Sequence, residues 1–255
     1  MLLTIDIGNT NTSFCVFDGN EIVQRFNIHS DLNKTADEYG VLIFDIIKKL
    51  GYENKITACA LACVVLPLTE VFLSAIRKYL NVKALEISSK IKLSFGIKID
   101  NPKELGADRI ANAAWAIQNY KLPAIIIDFG TATTFDIVDA DKNFIGGLIA
   151  PGLLIQAQSL AKFTSKLPKL KIEAPKTAIA KNTVDAMLSG IVRGHSCMVD
   201  GMIKEAEKEL GQTSTIIACG GFCETLYGTI ERKFDFIDKD LTHKGLKILW
   251  EMNVK

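Results

Sequence analysis

Two acidic residues, Asp6 and Asp128, each end an apolar stretch, and each is followed two positions later by a glycine and then by hydroxyl and amide residues. The stretches are Asp6-Ile7-Gly8-Asn9-Thr10-Asn11-Thr12-Ser13 and Asp128-Phe129-Gly130-Thr131-Ala132-Thr133-Thr134. A glycine lets a backbone N–H approach a phosphate closely, hydroxyls and amides donate further hydrogen bonds, and a carboxylate can hold the cation that offsets phosphate charge. Either turn alone reads equally well as a polar hairpin. The two together say more: Ile5–Val16 aligns with Ile127–Val138 at an offset of 122 residues, with five of twelve positions identical. Each copy is followed by an acidic turn, Asp18-Gly19-Asn20 and Asp139-Ala140-Asp141. A period near half of the 255-residue chain points to two copies of one domain whose phosphate turns face a shared nucleotide.

A third stretch, Asn101-Pro102-Lys103-Glu104-Leu105-Gly106-Ala107-Asp108-Arg109, leads into a helical pattern. Asp108 and Arg109 fall in its first turn, where a helix N-terminus stabilises negative charge and can attract an anionic ligand. Asp108 can serve there simply as an acid that complements the helix dipole. Its sharper reading is a base that accepts the proton of a hydroxyl undergoing phosphorylation, with Arg109 holding a substrate carboxylate. Other nucleotide signatures are missing: the sequence has no G-x-x-x-x-G-K-[ST] and no G-x-G-x-x-G. Asp128-Phe129-Gly130 spells D-F-G without the flanking motifs of a protein kinase.

These residues need a frame. Apolar runs and alternation predict strands at 2–7, 13–18 and 21–27, a helix at 35–50, a buried strand at 57–66, a helix at 68–80 and a strand at 82–87. Past Pro102 the pattern gives a helix at 107–120, a strand at 124–128, and a helix near 152–162. A long helix capped by Asn182 or Thr183 follows, running to about 210, then a strand at 215–218, a helix from Phe222 and a closing helix at 241–252. Strands alternating with helices predict an α/β architecture with covered sheets. The expected domains are residues 1–115 and 116–255, with the C-terminal helix packing back on the first.

Composition narrows the partners. With 30 basic and 29 acidic residues and a net charge of +1, the chain has no excess of charge to recruit a nucleic acid or a membrane surface, so a small-molecule ligand is expected. The start Met-Leu-Leu-Thr-Ile-Asp-Ile-Gly has no basic segment, and no run approaches eighteen apolar residues, which predicts a cytoplasmic protein. The six cysteines form no C-x-x-C pair and sit among apolar or small neighbours, as buried thiols do. His29, His195 and His243 lack ligand spacing and are assigned no chemistry.

Five motifs in order, at 6–12, 101–109, 128–136, 146–152 and 181–190, together resemble the type III pantothenate kinases, which open bacterial coenzyme A synthesis. The resemblance implies two duplicated RNase H-like domains of the actin-like ATPase superfamily with an interdomain ATP cleft. It also implies ATP-dependent phosphorylation of pantothenate to 4′-phosphopantothenate. By that resemblance Asp6 to Ser13 (Asp6, Ile7, Gly8, Asn9, Thr10, Asn11, Thr12, Ser13) and Thr131 contact ATP, with Asp6 near its Mg²⁺. Asp128 holds a monovalent cation, K⁺ or NH₄⁺. Gly106, Ala107, Asp108 and Arg109 hold pantothenate, with Asp108 as the base. Thr183 reaches pantothenate in the partner subunit of a homodimer. Ala218-Cys219-Gly220-Gly221 is similar to the family's adenosine-side glycine pair. The family often has Tyr where this chain has Ile99, removing one hydroxyl from the pantothenate pocket. Two rival readings are a related kinase for acetate or a sugar and a nucleotide-binding regulator without catalysis.

Overall fold

The computed structural model describes residues 1–254. Its first strand, β1 (Leu2–Ile7), is flanked by the antiparallel β2 (Asn11–Asp18), which pairs in turn with β3 (Glu21–His29). The chain then forms α1 (Ala36–Lys49), β4 (Ala58–Cys63), α2 (Leu66–Leu80) and β5 (Ala84–Glu86). β4 lies parallel to β1 and β5 parallel to β4, giving a sheet of order β3-β2-β1-β4-β5. β1 is central, so Leu3, Ile5 and Ile7 are fully buried. They pack with Tyr39, Ile43 and Ile47 of α1 and with Phe72 and Ile76 of α2, residues spaced four apart along one helical face. Thr35 caps α1, accepting from Glu38 N while Glu38 Oε2 accepts from Thr35 N at 2.8 Å. This unit, Met1–Ser94, also takes in Asp100–Trp115 and the segment from Asp240. It therefore holds a single turn at Pro102–Glu104, the start of α3 (Ala107–Asn119), and the last helix.

The second unit comprises Phe95–Ile99 and Ala116–Lys239. It contains β6 (Gly96–Ile97), β7 (Ala124–Phe129), β8 (Ala132–Val138), β9 (Asn143–Pro151) and α4 (Leu153–Phe163). After a polar loop come α5 (Thr183–Leu188), a π-helical turn at Ser189–Arg193, α6 (Gly194–Leu210), β10 (Thr215–Cys219), α7 (Cys223–Tyr227) and β11 (Phe236–Ile237). The sheet order is β11-β10-β7-β8-β9-β6. Without the β6 edge this is the first sheet again: β7 pairs antiparallel with β8 and parallel with β10, as β1 does with β2 and β4. Each meander also carries a register shift near its far end, at Val16/Phe17 and at Ile137/Val138. Ile125, Ile127 and Phe129 face a core completed by Val192, Val199 and Ile203. α8 (Leu241–Val254) closes the chain within the first unit.

The two-sheet α/β fold agrees with the sequence patterns, and four details differ. The long helix expected at 183–210 is broken by the π turn, where Ser189 Oγ donates to Ala178 O at 2.6 Å and ties the helix to the preceding loop. The strand expected at 57–66 ends at Cys63, because Leu66-Pro67 starts α2 and proline suits a first helical turn. β6 and β11 are two-residue edge strands with too few positions to show a period. Cys197 is exposed and Cys63 only partly buried; the other four cysteines are buried as expected.

Candidate functional site

The first turn is a tight loop between β1 and β2. Gly8 N donates to Asn11 O at 3.1 Å, and a side chain at Gly8 would press against that same oxygen. Ser30, just past β3, clamps the loop from below: its Oγ donates to Gly8 O at 2.7 Å, its N donates to Thr10 O at 3.0 Å, and its Oγ lies 2.9 Å from Thr12 Oγ1. With its base held, the loop exposes Asn9, Thr10 and Asn11, while Ile7 and Thr12 are buried. Asp6 and Ser13 are half-buried and directly opposed in the β1–β2 register, so their side chains share one face.

The start of α3 lies at the same end of the sheet. Val64, one residue past β4, donates its N–H to Ile7 O at 3.1 Å, and the Cβ that Gly106 lacks would sit 3.6 Å from Val64 Cγ1. Gly106 leaves room for the Asp108 carboxylate, since a Cβ would stand 2.5 Å from Asp108 Oδ1 and force it to move. That oxygen accepts from Arg109 N at 2.8 Å. Burial pushes the Asp108 carboxyl above its ordinary range, against the opposing pull of the Arg109 N–H and guanidinium. A carboxylate whose charged form is disfavoured, at the same sheet end as the β1–β2 loop, is suited to take a proton.

In the second unit, Asp128 and Thr131 are held by glycines. Gly130 N donates to Ala132 O and Gly152 N to Thr131 O, both at 3.1 Å. A Cβ on Gly152 would collide with the carbonyl oxygens of Gly130 and Thr131, and one on Gly220 with the Asp128 carboxylate. Gly220 also has a φ of +89°, which side chains rarely adopt. The turn is backed by a buried histidine: His195 Nε2 lies 3.0 Å from Thr133 Oγ1, and His195 Nδ1 lies 2.8 Å from Gln156 Nε2. Gln156 Nε2 also donates to Pro151 O at 2.9 Å, which fixes it as the donor, so Nδ1 accepts and Nε2–H donates to Thr133. Burial pulls the His195 pKa down to about 4, keeping it neutral.

The structure thus brings Asp6–Ser13 together with Gly106–Arg109 in one unit, and Asp128 together with Thr131 in the other. Thr183 is the exposed first residue of α5; the cap is Asn182, whose side chain accepts from Asp185 N at 2.9 Å. Ile99 follows the β6 edge and is half-buried. Among the described residues, no group of three or more His, Cys, Asp or Glu side chains could hold a metal ion. Sequence patterns missed Ser30, Gln156 and the buried His195 and His243, because their role is fixed by register and helix packing rather than by a local motif.

Comparison with known proteins is consistent across the chain. Residues 2–205 match the family described as type III pantothenate kinase. A type III pantothenate kinase of Syntrophus aciditrophicus is 41% identical over 99% of this chain and 100% of its own length. One of Halalkalibacterium halodurans is 39% identical, with 100% of both chains covered. Among solved structures, the activator of the 2-hydroxyisocaproyl-CoA dehydratase from Clostridium difficile with bound ADPNP superposes with a TM-score of 0.56 at 13% identity, over 98% of this chain and 94% of its own. At that identity the likeness speaks for the fold alone, that of the actin-like ATPases with two RNase H-like domains.

Proposed function

The chain belongs to the type III pantothenate kinase family, and on that premise we propose how its residues transfer the γ-phosphoryl group of ATP to the primary hydroxyl of pantothenate. Asp6 to Ser13 and Thr131 bind ATP, through the exposed loop amides and hydroxyls. Gly106, Ala107 and Arg109 orient pantothenate, with Arg109 pairing its carboxylate. Asp108 accepts the hydroxyl proton as the oxygen attacks phosphorus. Most of the remaining acceleration comes from positioning and charge neutralisation. The observation that carries this reading is the placement of Asp108, with its raised affinity for a proton, at the same sheet end as the first turn.

The donor set suits Mg²⁺ brought by ATP. Mg²⁺ keeps several waters and takes one or two carboxylates plus substrate phosphates, and Asp6 opposite Ser13 offers hard oxygen groups without a protein cage. When bound, such an ion neutralises developing phosphate charge. Asp128, braced by Gly220, would hold the monovalent cation, K⁺ or NH₄⁺. A homodimer is supported by apolar side chains exposed on α4 and α5, namely Leu154, Ile155, Phe163 and Val184. There Thr183 would reach the partner's pantothenate, a role that capping by Asn182 leaves open to it. No described helix is long and apolar enough to cross a membrane, and the near-zero net charge offers no basic face to nucleic acid. Reaction in the cytoplasm fits both.

An acceptor panel tests the reading. With ATP, Mg²⁺ and K⁺, ADP release should require pantothenate and fall when K⁺ is replaced by Na⁺. Turnover of acetate or a sugar with none of pantothenate would contradict it.

A further inference from the structure

The first unit also has a buried histidine behind its phosphate turn, and it comes from the far end of the chain. His243, in the first turn of α8, is 6% exposed and meets the β1–β2 hairpin on the face that carries Asp6. Its Nδ1 lies 2.8 Å from Thr4 Oγ1 and its Nε2 lies 2.9 Å from Ser13 Oγ. Thr4 Oγ1 in turn donates to Cys15 O at 3.3 Å. The helix is fixed where it must be. Thr242 Oγ1 donates to Asn112 Oδ1 at 2.8 Å, Arg25 grips Asp240 through two 2.7 Å bonds, and Gly245 packs so closely on the Ala111 carbonyl that no Cβ would fit.

The protons in this group can be counted. The ring is buried and has a hydroxyl, not a carboxylate, on each nitrogen, surroundings that disfavour a charged imidazolium, so it is neutral with one N–H and one lone pair. Each hydroxyl has one proton to give. Run from Ser13 O–H to Nε2, from Nδ1–H to Thr4 Oγ1, and from Thr4 O–H to Cys15 O, the series uses every proton once and makes all three contacts hydrogen bonds. Run the other way, Thr4 spends its proton on Nδ1 and its contact with Cys15 has none, leaving two bonds. Buried polar groups favour the arrangement that satisfies more of them.

We propose that His243 is a positioning residue for the nucleotide site, which engages the Ser13 proton and so presents Ser13 to the ligand as a hydrogen-bond acceptor. Phosphate oxygens are acceptors themselves, and an oxygen whose proton is already committed has nothing to donate to them. A water on the nucleotide's Mg²⁺ is a donor, and Ser13 stands opposite Asp6, the carboxylate on the same face. Ser13 therefore reads the hydrated cation of MgATP rather than the phosphates. This inference rests on the reading of Asp6 to Ser13 as a phosphate turn, and it joins the last helix of the chain to the first loop.

The test is calorimetric binding of ATP, with Mg²⁺ and with EDTA, to wild type, Ser13→Ala, His243→Phe and the double variant. Ser13→Ala should weaken MgATP by about 3–10-fold, the value of one hydrogen bond, and leave Mg²⁺-free ATP unchanged. His243→Phe should weaken MgATP similarly, and the double variant should be no worse than the more affected single, as for residues acting in series. Equal weakening of ATP with and without Mg²⁺ in Ser13→Ala, or losses that multiply in the double variant, would overturn the proposal. Should His243→Phe fail to fold, ¹⁵N shifts of the ring nitrogens in wild type decide the matter: a protonated Nδ1 supports the proposal and a protonated Nε2 overturns it. Absence of any ATP binding by wild type would instead overturn the phosphate-turn reading, and this inference with it.

Discussion

Asp108→Asn separates catalysis from folding with one exchange of oxygen for nitrogen. Asparagine keeps the side-chain volume and an Oδ1 that can accept the 2.8 Å bond from Arg109 N, so the start of α3 should be unchanged. What is lost is the proposed base. A positioned general base contributes roughly 10²–10⁴-fold, or about 3–5 kcal/mol of barrier, and kcat for pantothenate phosphorylation should fall by that factor with ATP affinity retained. Stability should move the other way. Burial raises the Asp108 pKa in the folded protein, so folding favours its protonated form. Its favourable contribution is complete below the unfolded-state pKa and is lost as pH rises through the folded one. At neutral pH, above the unfolded-state pKa, that contribution is diminished and the buried acid costs stability, so the Asn variant should melt at the same temperature as wild type or higher. That advantage should vanish in acid. Steady-state ADP release and thermal melts at both pH values measure the two effects. Turnover within tenfold of wild type, or a loss of activity accompanied by a lowered neutral-pH melting temperature, would refute the reasoning.

Other perturbations probe the scaffold. Gly152→Ala drives a Cβ into the carbonyls of Gly130 and Thr131 at an ordinary φ of −69°, so the fold should persist while KM for ATP rises about 10–100-fold, measured by initial rates. Thr35→Ala removes the capping box of α1 and should cost about 1 kcal/mol, lowering Tm by about 2–4 °C in thermal denaturation with unchanged turnover. Thiol titration of the native protein should find one fast cysteine, Cys197, and all six after denaturation, since burial pushes Cys15 and Cys223 up to about 12, raises the partly buried Cys63, whose Sγ donates to Val65 O, and encloses Cys59 and Cys219 as well. Phe163→Glu, at a side chain 78% exposed, should convert the proposed dimer to monomer in sedimentation; a dimer that persists would move the interface elsewhere.

The repeat around Asp6 and Asp128 was legible because a buried central strand ending in Asp-x-Gly leaves a local mark in both copies. Helices α1 and α2 were legible through apolar residues every three or four positions. The supports were not. Ser30 reaches Gly8 only because β2 and β3 pair in one register, with Asn11 opposite His29, and nothing near Ser30 signals that pairing. His243 lies 230 residues from Ser13, and only the packing of α8 brings them together. The π turn at Ser189–Arg193 keeps an apolar period that a straight helix would also show, so its bonding pattern could not be read from spacing. Cys197 follows two buried positions, His195 and Ser196, yet turns outward, because successive helical residues point about 100° apart.

The most direct test of the central claim is the product itself. Purified protein with ATP, Mg²⁺, K⁺ and pantothenate should release ADP and 4′-phosphopantothenate in equal amounts, with the phosphate located on the primary hydroxyl by ³¹P NMR and mass spectrometry, and neither should form when pantothenate is omitted. ADP release that proceeds without pantothenate, or pantothenate recovered unphosphorylated while ATP is consumed, would contradict it.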